Sequence, residues 1–209
     1  TEVAYPDQTV VYTLDGVGNR LAEVTTDTGT GTITSNKTYG YNERDFLLSI
    51  TDSVEPGNNT SYAYDVNGNQ IEKTAVQSGV ISNFIYDVRD QLVEVSTSTG
   101  LLETYGYSYD GLRTRKSGPG GLFRFVYDER SLLVQTDLAG ITIAKYEWGT
   151  DRLLSLDHAV EGRQFYLFDG LGSVASLSKP DGTLQARFRW DAWGNLRSQA
   201  GDSFNLFGF

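Results

Sequence analysis

The feature that most constrains this chain is a unit that keeps returning: an aromatic residue followed by Asp, then a Gly-Asn pair and an apolar residue. Tyr12-Thr-Leu-Asp15-Gly-Val-Gly18-Asn19 sets it, Tyr64-Asp65-Val-Asn-Gly68-Asn69 repeats it, and Trp190-Asp191-Ala-Trp-Gly194-Asn195 gives a third copy. Tyr86-Asp87, Tyr109-Asp110, Tyr127-Asp128 and Phe168-Asp169 carry the same pair, and degenerate copies sit at Tyr41-Asn42 and Trp148-Gly149. The anchors at 15, 42, 65, 87, 110, 128, 149, 169 and 191 lie 18 to 27 residues apart. A fixed short period means a repeat architecture, in which each unit buries its apolar face only against its neighbours. About nine copies fill the whole chain, so residues 1–209 read as a single array.

Each copy reads as two strands. Before the Asp the pattern alternates: Tyr105, Tyr107 and Tyr109 share one face, as do Phe123, Phe125 and Tyr127. In Arg187-Phe188-Arg189-Trp190 the aromatics point one way and the charges the other. Period two is the mark of a half-buried strand. Asn67-Gly68, Asp110-Gly111 and Asp181-Gly182 suit primed hairpin turns, because Asn, Asp and Gly tolerate positive φ. The recurring Asp has a local role to play: its carboxylate can accept from the N–H groups of the turn that follows. No segment shows a helical period with caps. The expected class is all-β, tandem antiparallel β-hairpins forming a curved, spiralling sheet, an open or closed shell segment.

Composition removes several alternatives. There is no Cys, which rules out disulfides and thiolate metal sites. Net charge is −10, and it all falls in residues 1–104, with 5 Lys/Arg against 15 Asp/Glu, while 105–209 hold 12 of each. An acidic half argues against DNA or RNA as a partner. Charges interrupt every long apolar run, so no membrane insertion is expected. With no Met even at position 1, the chain reads as a piece of a longer or processed protein.

These motifs resemble the YD or RHS repeat. The run Phe168-Asp169-Gly-Leu171-Gly172-Ser173, then Asp181-Gly182, then Trp190-Asp191-Ala-Trp-Gly194-Asn195 resembles the RHS core region, placing core-like motifs in 165–209, with Phe207-Gly208-Phe209 as the lead-in to its final motif. The resemblance implies a long sheet that spirals into a hollow cocoon. In bacterial members, including insecticidal toxin complexes and polymorphic toxins, the cocoon encloses a C-terminal toxic polypeptide; animal teneurins carry a related barrel. It further implies a secreted or cell-surface protein, of bacterial origin. Some members cut themselves at a D-P-x-x-G motif, but no Asp-Pro dipeptide occurs here, so that chemistry is not carried over.

Other candidates have plainer explanations. His158, the single histidine, lies in a stretch that reads as a hairpin rim, with no activated Ser beside it in sequence. Asp65-Val-Asn67-Gly-Asn69 opens like a calcium loop, but Gln70 and Val76 occupy its Gly and Glu positions. Gly16-Val-Gly18 and Gly118-Pro-Gly-Gly121 are turns, too short for a dinucleotide fingerprint. Asn36, Asn58 and Asn59 head glycosylation-type tripeptides in stretches that read as loops. The expectation is therefore a non-enzymatic shell segment with no catalytic residue, metal or cofactor. Its partner is a polypeptide cargo or the rest of a longer chain. The alternatives are an adhesion or carbohydrate-binding module, with aromatic stripes stacking on glycan rings, and an edge-to-edge self-assembling sheet, since open edge strands recruit others.

Overall fold

A computed structural model describes residues 1–208; Phe209, the last residue of the expected core lead-in, lies outside the described residues. The described residues are all-β, a run of nineteen strands joined mostly by short turns, with one turn of 3-10 helix at Pro56–Asn58. It divides into two compact units, Thr1–Thr104 and Tyr105–Phe209.

The first unit holds β1 (Glu2–Ala4), β2 (Gln8–Leu14), β3 (Arg20–Asp27), β4 (Ile33–Tyr41), β5 (Leu47–Asp52), β6 (Thr60–Tyr64), β7 (Gln70–Ala75), β8 (Val80–Tyr86) and β9 (Leu92–Thr97). Each strand pairs antiparallel with the next, and β10 (Gly100–Tyr107) continues the series by pairing with β9 through residues 100–104. The second unit continues with β11 (Arg113–Gly118), β12 (Gly121–Asp128), β13 (Ser131–Asp137), β14 (Thr142–Trp148), β15 (Leu153–His158), β16 (Gly162–Phe168), β17 (Val174–Ser178), β18 (Leu184–Trp190) and β19 (Leu196–Ala200), again each antiparallel to its neighbour.

Cross-strand register puts the alternating aromatics on one face. In the second unit, Phe125 lies opposite Gln135, Gln135 opposite Ala144, Tyr146 opposite Leu156, Leu156 opposite Gln164, Tyr166 opposite Leu177, and Leu177 opposite Ala186. These residues are buried together, with Trp148, Phe168 and Trp190 packed against them. In the first unit the same face is more polar. Glu23 lies between Tyr12 and Lys37 in register, accepts from the Tyr39 hydroxyl at 2.9 Å, and pairs with Lys37 and Arg20. A buried carboxylate is tolerable there because charge-assisted bonds satisfy both its oxygens.

The hairpins share one irregularity. A register shift falls immediately before the last residue of the first strand in seven of them, at Thr13/Leu14, Gly40/Tyr41, Ala63/Tyr64, Ile85/Tyr86, Glu147/Trp148, Leu167/Phe168 and Arg189/Trp190, and one residue earlier in β12, at Val126/Tyr127. This is a β-bulge, with one extra residue in the second strand.

Three local expectations need correction. Of the dipeptides expected in primed turns, only the glycines Gly68, Gly111 and Gly182 take positive φ; Asn67, Asp110 and Asp181 do not. The turns are therefore three-residue loops that end in one left-handed residue, the geometry compatible with the adjoining bulge. Tyr109 does not share a face with Tyr105 and Tyr107: β10 ends at Tyr107, and Tyr109 sits in the turn, 98% exposed. Asn36 is not in a loop but inside β4, where its N–H donates to Asp52.

Candidate functional site

The recurring Asp closes its turn with a repeated set of bonds. Asp15 Oδ1 accepts the N–H of Val17 at 3.0 Å and of Asn19 at 2.8 Å, while Asn19 Nδ2 donates to Asp15 Oδ2 at 2.9 Å. Asp65 with Asn67 and Asn69, and Asp191 with Trp193 and Asn195, repeat all three bonds. Asp87 accepts from Arg89 and Gln91, Asp169 from Leu171 and Ser173, and Asn42 from Arg44 and Phe46. The Asn69 side-chain amide holds the Asp65 carboxyl below the usual carboxylate range, and for Asp87 the Gln91 N–H does the same. Gly18, Gly68, Gly172 and Gly194 occupy the left-handed position of these turns.

Two signature pairs are placed differently. In the fifth hairpin Ser108 takes the anchor position: Leu112 N–H donates to its Oγ at 3.1 Å, and Asp110 sits two residues further on, bonded to the same hydroxyl. Asp128 is the last residue of β12, paired with Ser131 across a two-residue loop that Glu129 begins at φ 50°. The calcium-like stretch is also a turn. Asn67 and Asn69 both present Nδ2 donors to Asp90, at 2.9 and 2.8 Å. Among the described residues no three His, Cys, Asp or Glu side chains are grouped to hold a metal ion.

The aromatic before the anchor reaches back to the previous hairpin. Tyr64 OH donates to Leu47 O at 2.9 Å, Tyr86 OH to Gln70 O at 3.2 Å, and Tyr127 OH to Arg113 O at 3.0 Å; Trp148 Nε1 donates to Leu132 O and Trp190 Nε1 to Val174 O, each at 2.8 Å. Every acceptor lies at or next to the start of a second strand. One aromatic thus covers its own strand and ties its hairpin to the one before.

The aromatic face of the second unit is occupied by a segment of the same chain. At Gly201 (φ 75°) the backbone turns out of β19, and residues 203–208 run over the face as an extended strap. Phe207 packs edge-on against Tyr146, Trp148 and Tyr166, at 5.5, 5.8 and 6.1 Å between ring centroids. Phe204 stacks on His158 at 4.5 Å. Polar groups fix the strap through its backbone and its side chains: the Glu161 carboxylate accepts the Phe204 N–H, Gln164 Oε1 accepts the Ser203 hydroxyl at 2.6 Å, the Tyr166 hydroxyl donates to Asn205 Oδ1 at 3.1 Å, and Val174 N–H donates to Gly208 O at 2.9 Å. Gln164 is fully buried and also donates to Glu161. His158 does sit at the hairpin rim, where its Nδ1 accepts the Glu161 N–H at 3.2 Å. It therefore belongs to the mount of the strap. Sequence reasoning missed Glu161, Gln164, Phe204 and Asn205. One signal was available: Gln164 interrupts an inward-facing register otherwise kept by Tyr166 and Phe168.

A repeat of this length, with these turns on an all-β chain, has a counterpart among known families. The Teneurin YD-shell model matches residues 8–148. The chain belongs to the Teneurin YD-shell family. Curated relatives of this YD-shell chain include the tRNA3(Ser)-specific nuclease WapA of Bacillus spizizenii, 31% identical over 206 residues, and the tRNA nuclease WapA of Bacillus subtilis strain 168, 30% identical over 205. Each match covers 95% of this chain, and the chain spans only 8% of the relative's length. Among solved structures, the Photorhabdus luminescens Tc holotoxin pore aligns over 97% of this chain and 15% of its own at 10% identity, with a TM-score of 0.37. A TcdB2–TccC3 crystal structure without its hypervariable C-terminal region aligns with a TM-score of 0.39, at 9% identity over 97% of this chain and 16% of its own.

Proposed function

We propose that this YD-shell chain is a length of shell wall whose aromatic face receives and shields extended polypeptide, in a longer secreted or surface protein of bacterial origin. The Asp-anchored turns, the bulges and the aromatic reach-back bonds build the wall in both units, as one array. The observation that carries the reading is the strap: the second unit already holds six residues of polypeptide on its aromatic face, through ring packing and backbone hydrogen bonds. A wall that holds polypeptide in this way, by ring packing and hydrogen bonds to backbone and side chains, suits a polypeptide cargo such as a C-terminal toxin. No catalysis is assigned to the segment. The nuclease activity in the names of its relatives belongs to proteins some twelve times longer, by the 8% coverage.

The glycan reading is less well supported. Trp190 is a natural stacking platform, but its Nε1 is engaged by Val174 O, and its ring lies 3.0 Å from where a side chain on Gly208 would begin.

Gly201→Ala tests the wall reading. A Cβ at Gly201 would overlap the Gln185 carbonyl, and φ there is 75°, so the strap cannot leave β19 along its present path. The variant should keep its strands by circular dichroism, lose protease protection beyond residue 201, and bind a synthetic peptide of residues 202–208 that the parent chain excludes. A version of the peptide with Ala at both Phe positions should not bind. Equal protease resistance in the two proteins, or a vacated face that takes no peptide, would sink the proposal.

A further inference from the structure

The opposite face of the second unit carries a different chemistry. Side chains alternate along a strand, so the residues between the buried aromatics point away from them: Arg124 between Phe123 and Phe125, Lys145 between Ala144 and Tyr146, Arg187 and Arg189 on either side of Phe188. Register confirms that these share a face. Arg115 lies directly opposite Arg124, Val134 opposite both Val126 and Lys145, and Ser176 opposite Arg187. All five basic residues are exposed, and none makes an ion pair or side-chain hydrogen bond among the described residues.

The face has few acids to balance them. Glu147 is bound by Arg163 and Ser155. Asp157 lies in register between Lys145 and Arg163. Arg115 and Arg124 are like charges held directly opposite on adjacent strands, an arrangement that costs stability unless an anion lies between them.

We propose that this face of the second unit binds a linear polymer of phosphate groups, recognised through its phosphate oxygens. Four of the five unpaired cations are arginines, whose planar forks suit phosphate, and one phosphate has enough oxygens to accept from two forks at once. Base recognition is not provided for. The aromatic on this face is Phe165, and the Arg163 guanidinium already lies over its ring at 5.5 Å. Single-stranded nucleic acid binding relies on open aromatic platforms.

The test uses end-labelled inorganic polyphosphate and the 209-residue protein, followed by fluorescence anisotropy from low to physiological salt. Binding should weaken linearly on a log–log plot, with a slope of roughly 0.7 per phosphate neutralised. Arg115→Gln with Arg124→Gln should lower affinity about tenfold and reduce the slope by roughly 1.4. Lys73→Gln, in the first unit, should change nothing. No binding at low salt, or variants that match the parent in affinity and slope, would overturn the proposal. So would poly-glutamate binding as tightly as polyphosphate, or single-stranded DNA binding more tightly.

Discussion

Trp190 Nε1 donates to the carbonyl of Val174, 2.8 Å away and sixteen residues earlier, and Trp148 makes the same bond to Leu132 at the same sequence separation. The N–H of Val174 meanwhile holds Gly208 O, so one residue joins two hairpins and the strap. Trp190→Phe keeps an aromatic ring but removes the donor, leaving a partly buried carbonyl unpaired, which should cost about 1–3 kcal/mol. Trp148→Phe should cost a similar amount. Trp193→Phe, at the exposed turn, should stay within about 0.5 kcal/mol of the parent. Urea unfolding of the three variants checks this; three equal values would show that the indole bonds contribute nothing specific.

How much of this was legible in the sequence follows from the range of each interaction. The Asp15, Asp65, Asp87, Asp169 and Asp191 turns close over two to four residues, so a short motif carries everything needed to make them. The reach-back bonds span 14 to 17 residues. The aromatics were visible as a stripe, but no local pattern says which carbonyl a hydroxyl or indole will find. The strap contacts span 34 to 61 residues, and nothing near Phe204 marks it as a residue that folds back. The fifth hairpin shows why register was misread. Tyr105, Tyr107 and Tyr109 alternate equally well whether the strand ends at 107 or 109, and Ser108 can anchor the turn as Asp does elsewhere.

Asp52 gives the first unit a pH dependence. It is 2% exposed. Burial alone would raise its pKa, but hydrogen bonds from the Ser35 hydroxyl at 2.6 Å and from the N–H groups of Asn36, Glu55 and Val54 outweigh that and hold the carboxyl at about 2. An unfolded Asp titrates near about 3.9. The folded value is the lower one, so the stabilisation is present above about pH 4 and is lost as pH falls towards 2; the shift corresponds to about 2–3 kcal/mol. The stability gap between the parent chain and Asp52→Asn should be near this value at neutral pH and shrink steadily below pH 4. A gap that does not change with pH would place the effect elsewhere.

Asp90 stands at φ 58°, in the turn position that Gly68 fills in the preceding hairpin, and accepts from both Asn67 and Asn69. Asp45 does the same at φ 60° for Asn19. A non-glycine residue in the left-handed region costs about 1 kcal/mol or more, here offset by a bond that ties neighbouring turns together. Asp90→Ala loses the bond and keeps the strain, while Asp90→Gly loses both. Asp90→Ala should therefore be the less stable by about 1 kcal/mol. A double-mutant cycle of Asp90→Gly with Asn69→Ala should give a coupling of about 0.5–1.5 kcal/mol. Additive effects would mean that the two turns are not linked through this pair.

Tyr146 offers the opposite case, a substitution expected to help. It is 3% exposed, lies against Phe207, and its hydroxyl has no hydrogen-bond partner among the described residues; burial pushes its pKa up accordingly. An unpaired buried hydroxyl costs about 1–3 kcal/mol of desolvation, while the ring itself contributes packing that Phe retains. Tyr146→Phe should therefore unfold at equal or higher urea concentration than the parent, by up to about 1 kcal/mol, with the strap still protected from protease. Tyr166→Phe is the internal comparison. Its hydroxyl donates to Asn205, so the same change of one oxygen should destabilise, and should loosen the strap. If Tyr146→Phe instead destabilised as much as Tyr166→Phe, the Tyr146 hydroxyl must have a partner in solution.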